Sequence, residues 1–381
     1  MAVSGMVVVA SALVLAALPL FMVGGLAVQI KEEFGFTEAA LGAGVTVGFV
    51  VGAATAPVGG RLADRIGAKT SVYFGSSLSA LALVGLGLFT SGWGTMVVFL
   101  SLAGGAVAIT DPALAILVNR AIPSARQGLA FGIKEASIPA ATLAAGVAVP
   151  AIALTVGWRW AFAIGLIPLV VVMGMLRGMD IDARAGSTEA ARDPSAKPPP
   201  NRRALFLAAT AAALGTAAAS GVGIFLADSA VSMGVSPAGA GLLLATGSVA
   251  GIFARVGAGV MADRTGGPQF KLIALMLAAG ALTMALGGTG NTWLLVLGTV
   301  GAFAGGWAWT GIFFLSLVKT NPERPGTVAG IGTAGLGAGN ASGPLLFGVV
   351  AQNYSFSVAW LGAALVAGVA AVLMNMARSR F

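Results

Sequence analysis

The chain has 381 residues, of which 57% are hydrophobic and only 9% charged, with a formal net charge of +8. Soluble domains carry about 25% charged residues, so most of this surface is built for lipid rather than water. Cysteine and histidine are both absent, which removes disulfides, thiol and imidazole catalysis and the usual zinc ligands. A non-enzymatic membrane protein with no cofactor, no metal and no nucleic-acid partner is expected.

Crossing a bilayer takes about 20 apolar residues. Runs at or near that length cover residues 6–28, 38–62, 70–90, 95–119, 128–154 and 160–176. Six more cover 204–227, 237–262, 271–286, 292–318, 326–350 and 357–373. Backbone polar groups cannot be left bare in hydrocarbon, so each run is a helix or a barrel strand. Long runs without alternation favour helices. The first run has no Lys or Arg before Lys31, unlike a cleavable signal peptide, and reads as a retained span. Residues 177–203 are polar and include Pro198-Pro199-Pro200, the composition of a flexible linker. The predicted organisation is a six-helix bundle over 1–176, a linker over 177–203 and a second six-helix bundle over 204–381.

Basic residues set orientation. With the N-terminus inside, one side carries Arg61, Arg65, Lys69, Arg120, Arg126, the linker cations, Arg264, Lys271, Lys319, Arg324, Arg378 and Arg380. The other side carries Lys31 and Arg159. Both termini and the linker are therefore expected in the cytoplasm.

The two halves repeat each other. Gly48, Gly52, Gly60, Ala63, Asp64, Arg65 and Gly67 recur as Gly247, Gly251, Gly259, Ala262, Asp263, Arg264 and Gly266. Gly35-Phe36-Thr37 matches Gly234-Val235-Ser236, where Thr37 and Ser236 suit helix N-caps. Arg126, Gly128, Gly132 and Ile133 recur as Arg324, Gly326, Gly330 and Ile331. Two bundles of like orientation imply a pseudo-twofold axis along the membrane normal.

The stretch Gly60-Arg61-Leu62-Ala63-Asp64-Arg65-Ile66-Gly67-Ala68-Lys69 resembles the signature loop between spans two and three of the major facilitator superfamily. Gly259 to Gly266, containing Asp263 and Arg264, is its echo between spans eight and nine. The resemblance implies an all-α membrane protein of twelve transmembrane helices in two pseudo-symmetric six-helix bundles, monomeric, rocking around a central site. It implies a cytoplasmic latch made by Gly60, Asp64, Arg65, Gly67 and Lys69, and a second by Gly259, Asp263 and Arg264. Gly267-Pro268 replaces the usual basic residues in the second copy, so the first latch is expected to be the stronger. The Arg early in span four that drug antiporters carry is missing from Leu100 to Gly105, and their span-five Gly-Pro motif is reduced to Pro139.

Ionisable residues within spans are costly and mark function by default. Arg255, in span eight, lies about 12 Å from Asp263 at the helical rise of about 1.5 Å per residue, near the midplane. Its repeat partner is Ala56, so the shared fold does not require it. Lys134 and Glu135 in span five and Asp111 in span four fall at similar depth. Neighbouring helical residues diverge by about 100°, so Lys134 and Glu135 are not expected to face one partner. As an anion site, Arg255 offers a planar fork to a carboxylate and Lys134 a second cation. Asp111 or Glu135 then carries a coupled proton. Arg255, four residues before Gly259, is also similar to the carboxylate-gripping Arg of the monocarboxylate and oxalate/formate branches. The structural alternative pairs Arg255 with Glu135 and Lys134 with Asp111. Asn340 and Trp307 are further substrate contacts or helix-packing residues, and Asp228 reads as interfacial.

The leading expectation is a bacterial cytoplasmic-membrane secondary transporter moving a small organic anion in symport with protons. Efflux of drugs or amphipathic metabolites is the alternative, and a non-transporting membrane sensor ranks third. No loop of the form G-x-x-x-x-G-K-[ST] is present, so ATP is not the direct drive.

Overall fold

The computed structural model describes residues 2–121, 126–178, 201–321 and 325–381. Among them, twelve helices are long and apolar enough to cross a membrane. Spans one to six are Ser4–Gly25, Glu38–Ile66, Ala68–Phe89, Trp93–Val118, Gln127–Ala153 and Trp158–Arg177. Spans seven to twelve are Arg202–Ser232, Pro237–Thr265, Phe270–Gly287, Thr292–Thr320, Val328–Asn353 and Phe356–Arg378. No strand occurs among the described residues. Of the expected linker, 179–200 lies outside the described residues, while Arg202 and Arg203 already belong to span seven. The Asn201 carboxamide oxygen accepts from their helix start, at the backbone N–H groups of Arg203 and Ala204, which is why the helix begins before the apolar run.

The predicted caps form. Thr37 Oγ1 accepts the Ala40 N–H and Ser236 Oγ accepts the Gly239 N–H. Span one ends sooner than its apolar run: the helix breaks at Leu26 and resumes as a separate short helix, Ala27–Phe34. Spans two and eight run past the expected ends, to Ile66 and Thr265, because the signature segments are themselves helical.

Small residues let the halves meet backbone to backbone. Along spans five and eight, Gly128 packs on Gly259, Gly132 on Arg255 and Gly146 on Gly241 and Ala245. Along spans two and eleven, Gly42 packs on Pro344, Gly348 on Glu38 and Gly337 near Ala53. Both seams are thus closed at the face away from the chain termini. At the face that bears the termini, the described residues close the seam between spans five and eight. Gly60 of span two and Gly330 of span eleven there face open space, and Pro57 and Ala334 are exposed.

Candidate functional site

The intramembrane charges gather where spans four, five, eight and ten approach. Lys134 Nζ lies 2.6 Å from Asp111 Oδ1 and 3.0 Å from Glu135 Oε1. Lys134 and Glu135 are 5% and 8% exposed, whereas Asp111 is 42% exposed. The other Glu135 oxygen, Oε2, accepts from Thr310 Oγ1 of span ten at 3.2 Å, a hydrogen bond from one half of the protein to the other. Beyond each other the two reach different partners, Lys134 Asp111 and Glu135 Thr310, and the flexible lysine stem swings its ammonium back onto its neighbour. The expected Lys134–Asp111 pair forms. The expected Arg255–Glu135 pair does not: no ion pair joins them among the described residues, although Glu135 lies within electrostatic reach.

Arg255 is 1% exposed. Its Nη2 donates to the Trp307 carbonyl at 3.0 Å, and its guanidinium carbon sits 5.4 Å from the centre of the Trp307 ring. Nε and Nη1 are buried and have no hydrogen-bond partner. A buried donor left unpaired costs about 1–3 kcal/mol, more when charged, so two such nitrogens on one guanidinium are a cost that fold alone does not explain.

Span ten makes this arrangement possible. Its helix Thr292–Gly301 passes into a wide π-helical turn, Ala302–Gly306, and resumes only at Thr310–Thr320. The break frees carbonyls from the helical ladder. Trp307 offers its carbonyl to Arg255, and Gly306 offers its own to Trp309 Nε1 at 2.8 Å. The Trp307 ring packs on Phe303 and on Phe21 of span one, both with centroids 5.5 Å away. It is a wall between the halves and not a lipid contact. Asn340, in span eleven, is half-buried and has no hydrogen-bond partner among the described residues. It stands three residues after Gly337 and four before Pro344, both of which meet span two, so it lies beside that stripe.

A sequence profile described as Major Facilitator Superfamily matches residues 9–227 and again 205–380. The chain belongs to the major facilitator superfamily. It is also 30% identical over 115 residues to an uncharacterized MFS-type transporter of Mycobacterium tuberculosis. That stretch is 30% of this chain, and the chain spans 20% of that relative's length.

The two superfamily signature loops behave differently here. Gly67 and Gly266 end their helices with φ of 85° and 72°, a region that only glycine enters cheaply. Asp263 reaches across to span five, where its Oδ1 accepts the Gly128 N–H at 2.7 Å and its Oδ2 the Leu129 N–H at 2.8 Å. A carboxylate on the first turn of a helix satisfies orphan donors and faces the positive end of the helix dipole. Gly259, one turn before, is pressed against Gly128. Asp64, Arg65 and Arg264 are exposed, and Lys69 is half-buried. Among the described residues the second copy makes a latch contact although it lacks the usual basic residues. The contact needs only the carboxylate and a close glycine pair, and both are retained in the second copy.

Sequence reading missed three participants. Thr310 carried no signal beyond its place after Gly305-Gly306-Trp307, a run that does mark the break. Asp228 is largely buried and paired with Lys31 at 2.6 Å. Lys31 reads in the sequence only as a loop charge.

Proposed function

We propose that this superfamily member is a secondary transporter that carries a small organic anion by alternating access, coupled to protons, in a bacterial cytoplasmic membrane. The termini then face the cytoplasm, as the distribution of basic residues favours. On this orientation the described conformation is shut outside and parted towards the cytoplasm along spans two and eleven.

The observation that carries the reading is Arg255. A fully buried guanidinium beside an indole face, with two unpaired nitrogens, is poised for an acceptor that arrives from elsewhere. A carboxylate matches that demand in charge and in planar geometry. Glu135 sits close enough to feel Arg255 without holding it, and it bridges to the other half through Thr310. A proton on Glu135 would remove the nearest competing anion as substrate arrives. Asp111, more open, suits proton delivery.

The test is thermal stabilisation of the purified protein in nanodiscs across carboxylates, sugars, amines and lipophilic cations. A ligand of the folded state raises the melting temperature by mass action. A small carboxylate is expected to stabilise the wild type and not Arg255→Gln. Stabilisation by cations or neutral compounds alone would remove the anion reading.

A further inference from the structure

The short helix Ala27–Phe34 follows span one on the face away from the termini and carries charges with partners on two sides. On one side it is fastened to its own half. Glu33 Oε1 accepts from Arg159 Nη2 and Oε2 from Trp158 Nε1, both at 2.6 Å. The Arg159 guanidinium lies over the rings of Phe34 and Trp158, at 5.7 and 4.6 Å. On its other side, Lys31 Nζ meets Glu38 of its own half at 2.5 Å and Asp228 of the opposite half at 2.6 Å.

We propose that this helix is a clasp that holds the outer side of the transporter shut, with Lys31 as the bolt and Asp228 as the keeper. The inference does not depend on which substrate is carried.

One cation between two carboxylates, one from each half, detaches asymmetrically. When the halves part on this face, Lys31 keeps Glu38 and is never left unpaired. Asp228 alone loses its partner. Its side chain is 8% exposed while the clasp is closed, and opening admits water to it, which repays part of the loss. Removing one partner of a buried pair, by contrast, leaves a charge uncompensated in the closed state and penalises that state specifically. The clasp also has a rigid base. Glu33, Arg159 and the aromatic rings fix the helix to the first half, so motion of that half moves Lys31 with it. A second link joins the halves nearby, where the Ala39 N–H donates to Gln352 Oε1 at 3.2 Å.

Because the chain contains no cysteine, a single introduced thiol reports opening cleanly. Ala245→Cys places it in the seam against Gly146, buried and on the same face as the clasp. The measurement is the rate of maleimide labelling in nanodiscs, where both faces are accessible. The parent should label slowly. Asp228→Asn and Lys31→Gln should each label at least about tenfold faster, as expected for loss of a mostly buried charge partner. Glu38→Gln, which leaves the link between halves intact, should change the rate less. The exchange Lys31→Asp with Asp228→Lys keeps one cation between two carboxylates and should return the rate towards the parent's, which a merely misfolded variant would not do. Parent-like labelling of Asp228→Asn, or failure of the exchange to slow labelling, overturns the clasp.

Discussion

Asp263→Asn isolates the latch on the opposite face from the clasp. Asn has the same outline, so packing against Gly259 and Gly128 is kept. It has one oxygen where Asp263 has two, and its amide group must point at a backbone N–H that is itself a donor. One of the two hydrogen bonds, at 2.7 and 2.8 Å, is lost and the other becomes neutral. A hydrogen bond to a charged group contributes about 1.5–3 kcal/mol, and a charge at a helix N-terminus about 0.3–1 kcal/mol more. Asp263 is half-buried, so screening trims the sum to about 2 kcal/mol. At about 1.4 kcal/mol per decade, the ratio of closed to open seam should fall roughly 30-fold. A thiol at Ala136→Cys, one helical turn beyond Gly132 on the face that meets span eight, reads this ratio through its labelling rate. A rise of an order of magnitude or more is expected in the Asn variant. A rate within twofold of the parent would refute the reasoning, since it would mean the two short contacts hold nothing closed.

Three further outcomes follow from the same geometry. Gly132→Val puts a branched side chain where a β-carbon alone would lie 2.8 Å from the Arg255 carbonyl oxygen, and overpacking of this kind costs about 1–3 kcal/mol; a lowered melting temperature in nanodiscs checks it. Thr310→Val removes the bond to Glu135 across the halves at little change in volume; a small loss of thermal stability, about 1 kcal/mol, should accompany an altered response of uptake to an inward proton gradient. The clasp base should also be acid-sensitive. Burial opposes charge on Glu33, but the bonds from Trp158 and Arg159 outweigh it and hold its carboxyl below the ordinary 4.5. A depressed folded value means the contribution is complete above pH 4.5 and fades as the pH falls through that lower value. Melting temperature should therefore drop on acidification below that point, and Glu33→Gln should lack that part of the drop.

Lys31 runs the opposite way at the alkaline end. Its burial disfavours the ammonium, yet the hydrogen bonds to Asp228 and Glu38 hold its pKa above 10.5. Its contribution is complete below pH 10.5 and is lost only as the pH rises through the higher folded value. The clasp is therefore fully charged on its lysine side across the physiological range.

Much of the fold was legible because lipid imposes a simple rule. Runs of apolar residues had to be helices, and Thr37 and Ser236 marked two starts that the structure confirms. The repeat around Asp64 and Asp263 pointed to the superfamily. Where reading failed, the cause was geometry that spacing does not encode. The lysine stem brought Lys134 onto its own neighbour Glu135. The break in span ten freed the Trp307 carbonyl, so Arg255 found a backbone partner in place of a carboxylate. Asp228 is a long way in sequence from Lys31, and only the docking of the two halves brings them together.

The most direct measurement is uptake of a radiolabelled small carboxylate, first identified by stabilisation of the wild type, into proteoliposomes carrying wild type or Arg255→Gln. Uptake by the wild type, and its loss in the variant while Asp263 still protects the Ala136→Cys thiol, is the predicted result. Uptake at the wild-type rate without the guanidinium would contradict the account at its centre, because the two unpaired nitrogens of Arg255 would then have no task.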